Sequence, residues 1–510
     1  MAKTTYITTP IYYINDVPHI GHAYTTIAGD ILARYKRLVG KKVYYLTGTD
    51  EHGQKVADAA EKKGLAPQKF VDSLVPHFKK AWEKLLITND DFIRTTEPRH
   101  TKVVQGIFSK LLKQGDVYKG EYEGWYCSVC ETFWTETQLV DGKCPNEECK
   151  RPVQKLKEES YFFKLSKYEK PLLDHIENNP DFIQPESRKN EIVSFIKQGL
   201  KDLSISRTTF KWGIPIKENK KHVVYVWFDA LINYLSALGY NPEDNSFEKP
   251  YWPADVHIMG KEITRFHAVI WPAMLMGLGV ELPKVVFGHG WWTVEGKKMS
   301  KTTGNVIDPI KLSEEFGVDV VRYFLLREVP FGSDGDFSRN SLIHRFNSDL
   351  ANDIGNLLNR SLAMTNKYFD GVIPPLEDPS KLDTEVIELG RHLPAKVKKA
   401  MEHLKFSLML DDIWEVVKRA NKYVEESAPW TLSKEGKLKQ LGNVMHVLIS
   451  ILRISAIYIS PFMPTTAEKM WEQMGLGKME KIKDLTIDGI KPGTKVQKGQ
   501  PLFPRIEIKK

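Results

Sequence analysis

The chain has 510 residues, 42% of them hydrophobic and 27% charged. This balance excludes wholesale disorder, a collagen-like repeat and a disulfide-stapled miniprotein, and at about 150 residues per domain it allows three or four domains. Lys+Arg 73 against Asp+Glu 65 leaves a formal net charge of +8, which suits a polyanionic partner without demanding one.

Residues 5–8 and 42–46 are β-branched and aromatic, as strands prefer. Between them Ile27, Ile31, Tyr35 and Leu38 recur at helical spacing and predict an amphipathic helix over 23–39. Strand, helix, strand makes a βαβ unit and predicts a parallel sheet. No signal-peptide apolar stretch precedes the first strand, so a cytoplasmic location is expected. Pro18-His19-Ile20-Gly21-His22 falls between that strand and helix, where parallel α/β folds take their ligands. A helix start offers unpaired N–H groups and a positive dipole end to phosphate. Two histidines flanking a glycine add donors beside an open backbone, which suits a nucleotide. The alternative is an ordinary turn with two solvated histidines.

From 120 to 221 the pattern changes to turn dipeptides and mixed charges, and predicts a separate inserted module. Every cysteine lies here, as Cys127-x-x-Cys130 and then Cys144 and Cys149. Such paired spacings suit a tetrahedral Zn²⁺ held by two turns, and four thiolates leave no open position, so the site is structural. A redox Cys-x-x-Cys or inert buried cysteines are the rivals. Clustering of all the cysteines in one short stretch favours metal.

Strand-like runs return at 222–227, 256–259 and 284–287. The α/β domain is therefore read as 1–119 and 222–340, split by the insertion at 120–221. Gly296-Lys297-Lys298-Met299-Ser300-Lys301-Thr302-Thr303-Gly304 is a Gly-bounded, hydroxyl-rich loop with Lys298 and Lys301 at its centre. Taken alone, a solvated basic loop explains it. After about 341 the strands vanish. Ile343, Phe346, Leu350, Ile354 and Leu357, then Leu410, Ile413, Val417, Ala420 and Val424, march at helical spacing and predict a bundle over 341–510 with a basic tail from Gly493. The apolar stretch 444–464 contains His446 and Arg453, and an Arg at mid-bilayer is expensive, so it reads as a core helix and no membrane partner is expected.

The two loops together resemble the paired His-Ile-Gly-His and Lys-Met-Ser-Lys signature of class I aminoacyl-tRNA synthetases. Thr302 stands where that family usually has Ser. Thr9-Pro-Ile-Tyr-Tyr-Ile-Asn15, Thr47-Gly-Thr-Asp-Glu-His-Gly53, Val226-Trp-Phe-Asp-Ala-Leu-Ile-Asn-Tyr234 and Gly260-Lys-Glu-Ile-Thr-Arg-Phe-His267 are similar to the amino-acid pocket of the methionyl-tRNA synthetase family, with Glu262 where Asp is usual. The resemblance runs through nearly the whole chain. It implies a Rossmann-like catalytic domain, a zinc knuckle in the insertion and a helical anticodon-binding domain. It implies that Asp50 holds the methionine amino group, that Tyr13, Trp227, Ala230, Tyr234, Ile263 and His267 line the thioether pocket, and that Ile11 backs it. A polarizable sulfur gains from aromatic edges. His19, Gly21, His22, Lys298 and Lys301 would bind ATP with Mg²⁺, the histidines and lysines stabilising charge in the reaction. Asn356, Arg360 and Trp430 resemble the family's anticodon readers: the first two are one helical turn apart, and an exposed Trp can stack an unpaired base.

One methyl or methylene is worth only about 1–3 kcal/mol in such a pocket, so homocysteine is an expected intruder, which the family clears by cyclisation. The insertion is too short for the hydrolytic editing domain of the isoleucyl, valyl and leucyl relatives. Many family members carry an added C-terminal tRNA-binding and dimerisation domain. Here a monomer is expected, with such a domain absent or supplied by a separate subunit. Two other classes compete: a small-molecule nucleotidyltransferase and a zinc-ribbon RNA binder. Chains of the first class are usually much shorter and lack a helical C-terminal bundle; the second needs neither the Asp50, Trp227 and His267 set nor a lysine loop in the α/β domain.

Overall fold

The computed structural model describes residues 4–507 apart from 131, 135, 147–148, 300–304, 480, 483–486, 488 and 498; of residues 122, 123, 132, 133, 137, 156, 158 and 298 it describes the backbone alone. In chain order the strands are β1 (Thr4–Tyr13), β2 (Lys42–Asp50), β3 (Asp91–Arg94), β4 (Val117–Cys127), β5 (Thr132–Trp134), β6 (Gln154–Phe163), β7 (Ile183–Gln184), β8 (Leu203–Ser204), β9 (Ser206–Arg207), β10 (Val223–Val224), β11 (Val256–Gly260), β12 (Val286–His289), β13 (Trp292–Val294), β14 (Lys297–Lys298) and β15 (Gly335–Phe337). Six of them form one sheet in the order β3-β2-β1-β11-β12-β7, with every pairing parallel. Strand order runs outward from β1 on one side and from β11 on the other. A crevice therefore opens at the carboxyl ends of these two central strands. The helix α1 (Ile20–Leu38) follows β1 and buries Ala23, Ile27 and Ile31 in the core.

β1 carries an irregularity that shapes the crevice. Its pairing with β2 shifts register between Thr8 and Ile11, where Pro10 has no N–H to give the ladder. Such a shift re-aims the residues beyond it. It leaves Tyr13 opposite Asp50 at the ends of the two strands.

Strands β5-β4-β6-β8 make a separate antiparallel sheet, with the cysteine turns at the β4–β5 end. The stretch 120–221 also supplies β7, the outer strand of the parallel sheet. The sequence predicts a strand over 222–227, and here the structure differs. Only Val223–Val224 forms a strand, paired antiparallel with β9 outside the main sheet, and a helix begins at Val226. A short apolar run does not reveal its own period. The Asp229 N–H bonds back to the Tyr225 carbonyl and turns the chain.

The helices Asn356–Phe369, Lys381–Glu402, Phe406–Ser427 and Leu438–Ile459 share one core. Leu438–Ile459 is long and apolar enough to cross a membrane, but its most apolar window is buried inside the protein.

A buried ion pair ties this helical region to the sheet. Asp30 of α1 accepts from Arg322 at 2.7 Å, from Arg34 at 2.7 Å, and from the Thr88 N–H and hydroxyl at 2.7 and 2.6 Å. Arg322, in the helix Val318–Arg327, donates also to the carbonyls of Leu85, Pro461 and Phe462. Burial alone would raise the Asp30 pKa; Arg322 and Arg34 outweigh it and hold the carboxyl below its usual value. Asp30→Asn would strand the buried Arg322 charge, and breaking a buried pair from one side costs about 3–5 kcal/mol. The urea midpoint should fall accordingly, and the double variant Asp30→Asn/Arg322→Met should recover part of the loss. A single variant as stable as the parent would contradict this role.

Candidate active site and cysteine cluster

His19 caps α1. Its Nδ1 accepts from the Gly21 N–H at 3.1 Å, and its own N–H donates to His22 Nδ1 at 3.2 Å. With both Nδ1 atoms accepting, the neutral rings carry their protons on Nε2. The two rings stack with centroids 3.9 Å apart. Burial lowers the pKa of His19; burial and then the neighbouring His19 lower that of His22 further. A Cβ at Gly21 would lie 2.9 Å from His19 Cε1, so glycine is what lets the ring fold back over the helix start.

The lysine loop begins as a hairpin. β13 and β14 pair Thr293 with Lys298 and Val294 with Lys297, joined by Glu295 (φ 50°) and Gly296 (φ 72°). Positive φ at both central residues is the two-residue turn that matches strand twist. The Asp336 carboxylate accepts from the Gly296 N–H at 2.8 Å and the Thr293 hydroxyl at 2.5 Å. Lys301 and the Lys298 side chain lie outside the described residues. The chain past the loop returns to α1, where the Ile20 N–H donates to the Ile307 carbonyl at 3.1 Å.

Beside this lies an aromatic pocket. Asp50 is buried at the carboxyl end of β2. Trp227 and Ala230 sit on the helix Val226–Leu231, with Tyr234 on the next, Asn233–Ser236. Ile11, Tyr13, Trp227, Ile263 and Phe266 are half-buried against the core that contains Tyr234. Phe266 lies flat on Trp227 at 3.8 Å and 8°. His267 Nδ1–H donates to the Ile263 carbonyl at 3.0 Å, so its Nε2 accepts from the Tyr234 hydroxyl at 2.8 Å.

Three further groups were not singled out by sequence reasoning. Asp229 is wholly buried between His52 (2.7 Å) and His100 (2.7 Å), and His100 also bonds Ser236 at 2.9 Å. Burial would raise the Asp229 pKa, but His52 and His100 outweigh it. This network joins the Asp50 motif to the Trp227 motif. Its one sequence signal was an acid inside the apolar run Trp-Phe-Asp-Ala-Leu. His257 bonds Thr8 at 2.6 Å and Trp271 at 3.2 Å, and His289 bonds Thr25 and the Gly290 carbonyl, each at 2.7 Å.

In the insertion the four cysteine Sγ atoms all lie within 4.8 Å of one another. Cys127 and Cys149 are 3.4 Å apart, Cys130 and Cys144 3.6 Å. Those separations far exceed a disulfide of about 2.05 Å. They approach the edge, roughly 3.8 Å, of a tetrahedron with metal–sulfur bonds of about 2.3 Å. The donor set fits a metal ion.

In the helical region Asn356 opens the helix Asn356–Phe369, exposed. Arg360, one turn on, bonds Glu425 at 2.8 Å, close to the end of Phe406–Ser427. Trp430 follows that end and is 39% exposed. Asn356 also lines a groove of about 480 Å³ with Asn352, Asn359 and Phe503.

A parallel sheet with this helix start, this hairpin and a helical domain behind it is class I tRNA synthetase architecture. A family model described as tRNA synthetases class I (M) matches residues 5–362, and one described as the anticodon-binding domain of tRNA ligase matches residues 386–487. The methionine--tRNA ligase of Caldanaerobacter subterraneus subsp. tengcongensis is 56% identical over 100% of this chain and 80% of its own length. That of Bacillus subtilis is 53% identical over 99% and 78%. Mycobacterium tuberculosis methionyl-tRNA synthetase, in complex with methionyl-adenylate, superposes with a TM-score of 0.94 at 43% identity, covering 99% of this chain and 100% of that one. The chain belongs to the methionine--tRNA ligase family.

The buried histidines set a pH dependence. Burial outweighs the carbonyl bonds and brings His267 and His289 down to about 4, and burial then His267 hold His257 well below its usual value. An unfolded His titrates near 6.5. Between pH 6.5 and 5 the unfolded chain therefore binds protons that the folded protein refuses, and stability falls as pH drops through that window. Calorimetric unfolding near pH 5.5 should take up at least about 4 protons, one each for His22, His257, His267 and His289. Uptake near zero would mean that these rings are charged in the folded protein.

Proposed function

We propose that the chain activates methionine with ATP and transfers the methionyl group to its tRNA. The observation that carries this reading is the Ile20–Ile307 bond, which brings the lysine hairpin's return segment to the histidine helix start, beside the aromatic pocket. In the first step a methionine carboxylate oxygen attacks the α-phosphorus of ATP. The new O–P bond forms as the α–β bridging bond breaks, and pyrophosphate leaves. No side-chain nucleophile is required; catalysis is positioning and stabilisation of charge on the phosphates. His19 and His22 donate from Nε2 as neutral rings. Lys298 and Lys301 neutralise the departing pyrophosphate. The Mg²⁺ that accompanies ATP adds positive charge at the phosphates when bound. Asp50 pairs with the amino group, and Tyr13, Trp227, Ala230, Tyr234, Ile263 and His267 enclose the thioether, with Ile11 behind. The neutral His267–Tyr234 pair suits an uncharged sulfur. In the second step the 2′-hydroxyl of the terminal tRNA adenosine attacks the activated carbonyl and AMP leaves.

Cys127, Cys130, Cys144 and Cys149 would hold one structural Zn²⁺, which when bound cross-links the two turns. Asn356, Arg360 and Trp430 would read the anticodon. A cytoplasmic monomer, alone or with a separate tRNA-binding subunit, is the form this reading implies. It is tested by methionine-dependent exchange of labelled pyrophosphate into ATP across all the amino acids; exchange with another amino acid and not with methionine would refute it.

Lys301→Ala should lower kcat for this exchange by at least about 10²-fold, the scale of a lost oxyanion-type contact. Methionine KM should hardly change, and near-normal exchange would make the loop mere surface. Trp430→Ala should leave exchange intact and weaken charging of the cognate tRNA by roughly 10- to 150-fold, the worth of one base–aromatic stack. Parallel losses in exchange, charging and melting temperature would assign Trp430 to packing instead.

A further inference from the structure

Arg265 stands between the cysteine turns and the aromatic wall of the pocket. It directly precedes a π-helical turn, Phe266–Ile270, that carries Phe266 and His267. Wide turns of this kind gather at functional sites. The guanidinium carbon lies 5.7 Å from the ring centroid of Trp134, 5.0 Å from that of Phe195 and 5.8 Å from that of Phe266. Each separation is within cation–π range. The three rings come from different elements. Trp134 ends β5, just past Cys130, in the hairpin whose other strand ends at Cys127. Phe195 belongs to the helix Glu186–Lys197, next to the edge strand β7. Phe266 is the ring stacked on Trp227. Tyr225, Glu191 and Cys130 lie within electrostatic range of the guanidinium.

We propose that Arg265 is a positioning residue that couples the metal-bearing cysteine turns to the Phe266–Trp227 wall, making methionine affinity depend on the metal. The inference rests on the pocket and metal readings above. β5 is only three residues long, so the cross-link across the turns is what fixes Trp134. Trp134 holds Arg265 in place, Arg265 holds Phe266, and Phe266 fixes the plane of Trp227. Without the cross-link the wall samples other arrangements, and methionine binds only to the competent fraction. His267 is held separately by Ile263 and Tyr234, and the phosphate donors sit on α1. The coupling therefore reaches methionine affinity and spares the chemical step.

The test measures the methionine dissociation constant by calorimetry on the full chain, wild type and Arg265→Met, each with its zinc content determined and again after chelation. Arg265→Met with zinc retained should weaken methionine binding by about 10-fold, the loss of desolvated cation–π contacts. Its KM should rise in step, while kcat stays within about 2-fold. Chelating the wild type should weaken binding to a similar degree, and chelating Arg265→Met should add less than about 2-fold, because the two changes break one connection. Arg265→Lys, which keeps the charge, should recover part of the affinity. If Arg265→Met loses zinc or fails to fold, Arg265→Lys carries the test: an intermediate loss supports the coupling, and wild-type affinity overturns it. Unchanged binding by a zinc-replete Arg265→Met, or losses that multiply on chelation, would also overturn it. A wild type that binds methionine but holds no zinc would overturn the coupling and leave the function reading standing. A wild type that binds no methionine would remove both.

Discussion

Asp30 and Arg322 are wholly buried, and each is tolerable there only because the other is present. Against a well-packed apolar pair such an arrangement gains little stability. Its force is as a constraint, because the guanidinium must meet Asp30 and three carbonyls from separate parts of the chain at once. α1 is thereby locked in position along its axis. Its N-terminal end carries His19, Gly21 and His22, so the donors proposed to face phosphate inherit their position from a charge pair about three turns along the helix. The helical region is fixed by the same contact, through Pro461 and Phe462.

Around this anchor the catalytic crevice is built from rings kept neutral by burial. His19 and His22 each give up Nδ1 to a backbone N–H, and His267 and His289 each give Nδ1–H to a carbonyl. The backbone therefore chooses the tautomer of these four rings. In the proposed reading these neutral rings face the phosphates and the thioether, which leaves charge compensation to the lysine hairpin. That hairpin is braced by Asp336 at its turn and by Ile307 at its return. In that reading binding and charge neutralisation reside on different segments, which the Ile20–Ile307 backbone bond brings together.

Much of this was legible in the sequence, for reasons that differ by element. The strands at 5–8 and 42–46 were readable because β-branched and aromatic residues crowd there, and they lie inside β1 and β2. The cysteine cluster was readable because its members are near neighbours in the chain, and their sulfurs do converge. The run at 222–227 misled because Val-Val-Tyr-Val suits a strand, while the turn at Asp229 depends on tertiary partners. His52, Asp229 and His100 are far apart in sequence, and no local pattern links them. Arg265 sat inside a quoted motif, yet its three rings come from segments that only the fold brings together. Lys298, Lys301, Asn356, Arg360 and Trp430 take their roles from resemblance; Trp430 is exposed, and Arg360 bonds Glu425 on the helix that precedes Trp430.

The helix Leu438–Ile459 has a consequence for how the molecule is made. From Leu441 onward it is buried on all sides; two of its main partners, Lys381–Glu402 and Phe406–Ser427, precede it in the chain, and a third, Pro464–Gln473, follows it. During synthesis those earlier helices leave the ribosome with an apolar trough and nothing to fill it. The filling segment, when it emerges, is a greasy rod that targeting factors could mistake for a membrane anchor. Buried His446 and Arg453 interrupt that rod, the first bonded to the Pro374 carbonyl. In the finished protein they are quiet internal groups; in the nascent chain they are the polar marks within an otherwise apolar span.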